Sequence, residues 1–370
     1  MKTVVVSGAL ANKPGQGGEA WVRLNWLLGF RKLGFDVWFI EQISPGEGVG
    51  RGRGYFEKVT QEFGFGDRAA LLYDDGSPLC GPSICDLCEV ADSADLLVNI
   101  GGHLHVQPLF GRFRRKAYID IDPGFTQFWQ ASGNRGSRLE GHDVFFTIAE
   151  NIGHPGCPIP TCGIEWRPIR PPVVLDRWRA PEGPFDRFTT IANWRGAFGS
   201  VVFEGVTYGL KVHEFRKVMG LPNRTPHPME IALGIHPGDG RDLQLLHENG
   251  WHLVDPQAVA SEPATFQSYV QTSGAEFSVA QGIYVQTRSG WFSDRTAVYL
   301  ASGRPVLVQD TGGTLPKGAG FLTFSTMEEA VAGIRRIAED YPHQCAAART
   351  MAERWFDSDT VLGGLLASAL

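Results

Sequence analysis

Long apolar runs are missing from this 370-residue chain: none reaches the roughly 20 residues that span a bilayer. A transmembrane helix is therefore excluded. Met1-Lys-Thr-Val-Val-Val-Ser-Gly8 enters a strand pattern without a long apolar leader region, so a soluble cytoplasmic protein is expected. Basic charge is also scarce. Lys and Arg total 34 against 40 Asp and Glu, a net charge of −6, and a nucleic-acid binder would show a basic face. No nucleic-acid partner is expected on that ground. Cysteine is limited to Cys80, Cys85, Cys88, Cys157, Cys162 and Cys345, which in a cytosolic chain are expected as free thiols. The alternative is half a zinc site at Cys80, Cys85 and Cys88, completed by Cys157 or Cys162, although the spacing matches no standard pair of Cys-x2-Cys knuckles. Repeats at solenoid or propeller periods are absent.

What is present is a chain long enough for two cores, with 46 Gly, 23 Pro, 23 Phe and 10 Trp. The many loop formers suit an α/β enzyme with long connections. Apolar runs at Thr3–Ser7, Asp36–Glu41, Ala69–Tyr73, Leu96–Ile100, Ala117–Ile121 and Val144–Ile148 read as strands, and Ala20–Leu33 has helical spacing. Buried strands alternating with helices predict a parallel sheet covered on both faces. Residues 157–184, rich in Pro (Pro181 among them), read as an ordered interdomain linker. A second α/β series then runs through Thr189–Ala192, Met229–Gly234, His252–Asp255, Glu276–Ala280, Pro305–Gln309 and Phe321–Phe324. Helical patterns lie at Leu210–Met219, Asp239–Asn249, Pro263–Thr272, Met327–Asp340, His343–Trp355 and Val361–Leu370.

The most informative stretch is Ser289–Asp310. A Gly-containing turn leads into a helix that Ser293 or Asp294 can cap, Gly303 stops it, and Pro305 opens a strand. Such a turn aims backbone N–H groups at an anion, and Arg288 and Arg295 flank it. The segment Leu300-Ala-Ser-Gly-Arg-Pro-Val306 resembles the helix-to-strand junction in the C-terminal domain of GT-B glycosyltransferases. Ser289-Gly-Trp-Phe-Ser-Asp-Arg295 and Tyr208-Gly-Leu-Lys-Val-His-Glu-Phe215 resemble a bacterial group within that class. The resemblance implies two doubly wound Rossmann-like domains facing across a cleft. Residues 1–175 would bind the acceptor, 176–345 the nucleotide sugar, and the C-terminal helices of 346–370 would cross back onto the N-terminal domain. It also implies that the junction holds a diphosphate. One departure is plain. Retaining members carry a Glu-x7-Glu pattern, whose places here hold Gly290 and Val298, leaving the anomeric outcome open.

Gly15-Gln-Gly-Gly-Glu-Ala20 satisfies a dinucleotide fingerprint, with Glu41 at about the distance of its ribose-binding acid, so an NAD(P)-dependent oxidoreductase is the rival reading. Against it, a seven-residue loop, Gly8–Pro14, separates the strand from Gly15. That loop resembles the first loop of GT-B enzymes, which would bring the N–H groups of Gly17 and Gly18 to the donor phosphates. A third reading, a two-lobed metabolite-binding protein, is disfavoured by the missing export leader and by the single interlobe linker.

Ligands of open α/β sheets gather at the carboxyl ends of strands. In the second series these ends include Asn193-Trp-Arg195-Gly196, Ile235-His-Pro237, Val254-Asp-Pro256, Gln281-Gly282 and Gln309–Gly313. The donor-binding set is therefore Gly17, Gly18, Arg195, Lys211, Glu214, Val254, Arg288, Ser289, Gly290, Ser293, Asp294 and Arg295. Lys211 and Glu214, three apart, could instead form a solvated ion pair. An inverting transfer needs a general base near a first-series strand end. Asp122 and His103 are the candidates, with Glu19 weaker. Asp120, Phe125, Phe128 and Trp129 would shape the acceptor site, the aromatics making it partly apolar. No cofactor is expected beyond the nucleotide-sugar co-substrate. No metal is expected either, since no Asp-x-Asp lies in the donor domain, although Asp120-Ile-Asp122 has that form.

Overall fold

The computed structural model describes residues 2–180 and 183–370. Pro181, read as linker, lies outside them. The chain forms two compact units. The first comprises Met1–Ile148, Thr161–Val174 and Asp357–Leu370; the second comprises Ala149–Pro160 and Leu175–Phe356. The chain thus passes from one unit to the other four times rather than through a single linker. A single interlobe linker therefore does not set this chain apart from a two-lobed binding protein.

In the first unit the strands are β1 (Thr3–Ser7), β2 (Asp36–Ile43), β3 (Ala69–Tyr73), β4 (Pro78–Cys80), β5 (Leu96–Ile100), β6 (Lys116–Asp120), β7 (Val144–Thr147) and β8 (Trp166–Pro168). They form one sheet in the order β4-β3-β2-β1-β5-β6-β7-β8, parallel except for β4. The central strands are uniformly apolar because both faces are covered: Val4, Val5, Val6, Leu96, Leu97 and Val98 are fully buried. Strand β8 falls inside the stretch expected to be linker. It pairs with β7 at the sheet edge, where Pro168 removes no ladder bond that an inner strand would need.

Two helices matter to the site. α1 (Gly17–Lys32) follows the first loop, and α2 (Val49–Glu62) follows β2. The last helix, Ser358–Ala369, packs on α1 at Gly29, where an added Cβ would lie 2.5 Å from Leu362 Cδ1. Residues 346–355 do not join it. They complete the helix Tyr341–Trp355, which belongs to the second unit and packs on the helix Asp294–Ala301.

The second unit contains β9 (Phe188–Asn193), β10 (Val201–Phe203), β11 (Val206–Tyr208), β12 (Met229–Gly234), β13 (His252–Val254), β14 (Ala275–Ser278), β15 (Val306–Gln309) and β16 (Phe321–Phe324). Six of these form a parallel sheet, β13-β12-β9-β14-β15-β16, over a core in which Phe277 stacks on Phe324 at 5.0 Å. β10 and β11 make a hairpin turned by Glu204 and Gly205, both at positive φ. The helical pattern over Leu210–Met219 breaks into a short α-helix, Lys211–Phe215, and a 3₁₀ turn, Arg216–Val218. The junction after Asp294–Ala301 closes as the Gly and Pro predict. Gly303 adopts φ +68°, with its N–H bonded to Leu300 O and that of Arg304 to Tyr299 O, the paired bonds of a Schellman cap.

Strand order reverses between β1 and β5 in the first sheet and between β9 and β14 in the second. The carboxyl ends there are the places where an α/β sheet opens a crevice for a ligand.

Candidate functional site

At the carboxyl edge of the first sheet, the loop after β5 is built by two amides. Asn99 Nδ2 donates to Leu104 O at 2.8 Å and its Oδ1 accepts from Leu104 N at 3.0 Å. Gln42 Oε1 accepts from His105 N and Val106 N at 2.9 and 2.8 Å. Between these clamps, Gly101 and Gly102 take φ +67° and +65°; an added Cβ on Gly102 would strike Tyr118 Cε2 at 2.9 Å. His103 is thereby fixed in a largely enclosed position. Burial, followed by the charges of Arg23, Arg138 and Lys13, pushes its pKa down to about 3, so it is a neutral imidazole and a weak base.

Asp122, two residues beyond β6, is the opposite case. Burial and the nearby charges of Glu19 and Asp120 raise its pKa to about 7, against the pull of Lys13 and Arg23. A carboxylate poised near neutrality suits proton abstraction. Asp120 does not share that freedom. Its carboxylate is fully buried and accepts from Thr126 Oγ1 (2.9 Å), Gln127 Nε2 (2.7 Å), Thr147 Oγ1 (2.9 Å) and Asp122 N (3.2 Å). It braces the strand end and has no lone pair facing outward for an acceptor or a metal. Phe125 and Phe128 are likewise buried, and only Trp129 of the aromatic run keeps some exposed surface. The apolar acceptor wall read from these residues is for the most part core. Glu19 pairs with Arg23, which is itself buried. Burial opposes its ionisation, but Arg23 and Lys13 hold its pKa below the ordinary value.

Gly17 and Gly18 form the first turn of α1. Glu41, the acid of the rival dinucleotide reading, lies inside β2 and is completely buried. Its oxygens accept from the N–H groups of Leu10, Ala11 and Asn12 at 2.9, 2.6 and 2.9 Å. A carboxylate so enclosed cannot reach a ribose, and the nicotinamide reading loses its acid. Among the described residues, no three His, Cys, Asp or Glu side chains come together as ligands for a metal ion, so Cys80, Cys85 and Cys88 do not form a zinc-binding set.

In the second unit the expected residues separate into three kinds. Some are committed to the framework. Arg295 gives Nε to Glu276 Oε1 at 2.6 Å, another N–H to Ile191 O, and a third to Ser278 Oγ at 2.8 Å, tying the inner strands together. Glu214 is buried and bonded to Lys217 and to Gln309 Nε2 at 2.7 Å; the Lys211–Glu214 pair does not form. Arg195 is exposed but forked onto Asp239, whose hydrogen bonds raise its pKa. Ser293 occupies the helix N-cap without a side-chain cap bond, and Asp294 is the first helical residue. Val254 ends the edge strand β13.

Others shape the backbone. Ser289 is buried, with its Oγ accepting from Trp291 N at 3.2 Å. Gly290 takes φ +71°, and its N–H donates to Thr311 O at 2.8 Å. Asn151 grips both sides of this turn, donating from Nδ2 to Arg288 O and Gly312 O at 2.7 and 3.0 Å. An added Cβ on Gly290 would fall 2.6 Å from Glu150 Cγ. Glu150 therefore packs against the turn at Gly290, and its carboxylate accepts from Thr314 N. Sequence spacing gave no signal for Glu150 or Asn151, because they reach the turn from a distant part of the chain.

Two of the expected cations, Arg288 and Lys211, have no side-chain hydrogen bond or ion pair among the described residues. Arg288 is exposed, in the left-handed region at φ +48°, a strained conformation for a residue with a Cβ. Lys211 is largely enclosed, and its ammonium has no hydrogen bond or ion pair among the described residues. Burial and the charge of Arg295 pull its pKa to about 7, with Glu276 acting in the other direction. Gln281 holds the backbone around it, accepting from Lys211 N at 2.6 Å and lying where a Cβ on Gly196 would stand, 2.5 Å from its Nε2. No helix of the described residues is long and apolar enough to cross a membrane.

No family model matches the chain, and no curated protein matches it. Solved structures do match along its full length. An alpha-glucosyltransferase in complex with UDP is 10% identical, covers 100% of both chains and has a TM-score of 0.61. Anabaena HepE with UDP-glucose is 12% identical, again with 100% of both chains covered, at 0.59. A variant of S. aureus TarM with Fondaparinux, alpha-GlcNAc-glycerol and UDP is 7% identical over 99% of both chains, at 0.64. The alpha-glucosyltransferase was also solved with UDP and a 13-mer DNA containing an HMU base, and matches at 0.60. At such low identity the likeness establishes architecture: the chain has the GT-B fold, each unit a Rossmann-like parallel sheet.

Proposed function

We propose that this chain is a glycosyltransferase that moves a sugar from a nucleoside-diphosphate sugar to a hydroxyl of a small acceptor. The observation that carries the reading is Lys211, an enclosed amine whose side chain has no hydrogen bond or ion pair among the described residues, at the carboxyl edge of a sheet where strand order reverses. Enclosing a cation without a partner is costly, and a diphosphate supplies the missing charge. Arg288, exposed in the same unit, adds a further anion contact, and in the first unit Gly17 and Gly18 stand in the first turn of α1, where helix N–H groups lack intrahelical partners. Asp122 receives the proton of the acceptor hydroxyl as the sugar C1 is attacked, a role its raised pKa fits better than the depressed one of His103. Lys211 and Arg288 neutralise the leaving diphosphate without a resident metal.

The similar structures support the donor half of this reading, since several were solved with UDP or UDP-glucose. The net charge of −6 counts against a nucleic acid, yet one similar structure holds DNA, so charge by itself does not choose the acceptor class.

A thermal-shift panel of nucleotides, nucleotide sugars and NAD(P) tests the proposal. A nucleoside diphosphate and its sugar should stabilise the protein, by about 3 kcal/mol at one hundred times Kd. Stabilisation by NAD(P) alone, or by no nucleotide, refutes it.

A further inference from the structure

The β1–α1 loop is folded around a carboxyl group that comes from the protein itself. Three successive backbone N–H groups, those of Leu10, Ala11 and Asn12, converge on the carboxylate of Glu41 at 2.6 to 2.9 Å. Successive N–H groups turned to one side make an anion seat. Here the seat is filled from behind by a side chain of β2 that is wholly buried. The loop is also gripped from α2, where Gly52 has no side chain: an added Cβ would lie 2.5 Å from Ala11 O. Asn12 Nδ2 reaches Gln42 O at 3.4 Å, and Lys13 N closes a turn onto Leu10 O at 3.0 Å. The loop therefore has one shape and hands Lys13 and the start of α1 to the carboxyl edge of the sheet.

We propose that Glu41 is a positioning residue: its carboxyl group is the internal hydrogen-bond acceptor around which the loop of residues 8–16 folds, and in holding that loop it sets where Lys13 stands toward Asp122. The second half rests on Asp122 acting as the base. The charged groups acting on Asp122 are Glu19, Asp120, Lys13 and Arg23. Of these only Lys13 lies on the loop. Glu19 and Arg23 are on α1, and Asp120 is on β6. Loosening the loop removes the Lys13 contribution, which favours the ionised form of Asp122.

The test uses the full chain and two variants. Glu41→Gln keeps the length but turns an amide NH₂ toward one of the three N–H groups. Gly52→Ala leaves Glu41 intact and pushes on Ala11. Hydrogen exchange should speed up at least tenfold in peptides covering residues 8–16 in both variants, with β2 and β5 unchanged. Under the same variants, the acid limb of the pH–rate profile for UDP-glucose hydrolysis, with water as acceptor, should move alkaline by half a unit or more. Unchanged exchange in the loop overturns the proposal. Faster exchange across the whole sheet also overturns it, by making Glu41 a general stability residue. A loosened loop with an unmoved pH limb overturns the link to Asp122. Absence of UDP-glucose hydrolysis in the parent protein counts against the sugar-transfer reading, and the exchange arm still decides the loop.

Discussion

Lys211 offers the sharpest test of how this protein would hold a nucleotide. Its pKa is drawn from 10.5 to about 7, by burial first and by Arg295 second. At pH 8 about nine-tenths of the side chains are then neutral. A bound diphosphate restores the charged form, so UDP binding at pH 8 should take up close to one proton. Phosphate groups are fully ionised above about pH 7, so the ligand contributes little to that uptake. The same linkage makes affinity fall with pH, by about eightfold between pH 7.5 and 8.5, because the site must first acquire its proton. Lys211→Met keeps the apolar stem and removes the charge. It should abolish both the proton uptake and the pH dependence, and weaken UDP by tenfold or more, the loss of one charge-assisted contact worth about 1.5–3 kcal/mol. Isothermal titration in two buffers of different ionisation enthalpy measures all three. Equal enthalpies in both buffers for the parent protein, or a Lys211→Met variant that binds UDP as the parent does, would refute the reasoning.

Three other outcomes follow from the geometry. Asp122→Asn should remove turnover while leaving UDP affinity intact, and the parent's rate should rise with pH through about 7 as Asp122 ionises; retained turnover shifts the base elsewhere. Arg295→Met leaves Glu276 buried without its partner and should cost about 3–5 kcal/mol in urea unfolding, so a cost below 1 kcal/mol would show that the pair does not brace the sheet. Glu41 has a folded pKa of about 7, above its ordinary 4.5, so its stabilising contribution is complete below pH 4.5 and is lost as pH rises through 7. It amounts to at most about 3 kcal/mol. Unfolding free energies at pH 5 and pH 8 should differ less in Glu41→Gln than in the parent, and an equal difference would contradict the assigned titration.

Much of the fold was legible in one dimension because its determinants are local. Apolar runs such as Ala69–Tyr73, Leu96–Ile100 and Met229–Gly234 are strands to the residue, since a parallel sheet buried on both faces demands continuous hydrophobicity. Gly303 and Pro305 marked a helix stop because backbone conformation at those residues depends on the residues themselves. Lys211 and Asp122 stood out because strand ends are where ligands gather, and Arg288 because it flanks a Gly turn ahead of a helix.

What the sequence could not decide was partnership between distant residues. Glu41 matched a ribose-binding acid by spacing, yet tertiary packing gives its carboxylate to the N–H groups of residues 10–12. Lys211 and Glu214 matched an i, i+3 pair, yet Glu214 turns inward to Gln309 and Lys217, and Lys211 is left with a charge to share. Arg295 matched a phosphate ligand and is instead locked to Glu276. Glu150 and Asn151 had no local pattern at all and reach the Arg288–Gly290 turn from more than a hundred residues away. Residue type and order thus determined strands, turns and the strand ends where chemistry belongs. Only the tertiary structure decided which charges are satisfied inside the protein and which are not, because a hydrogen bond is set by distance in space and sequence spacing does not carry that distance.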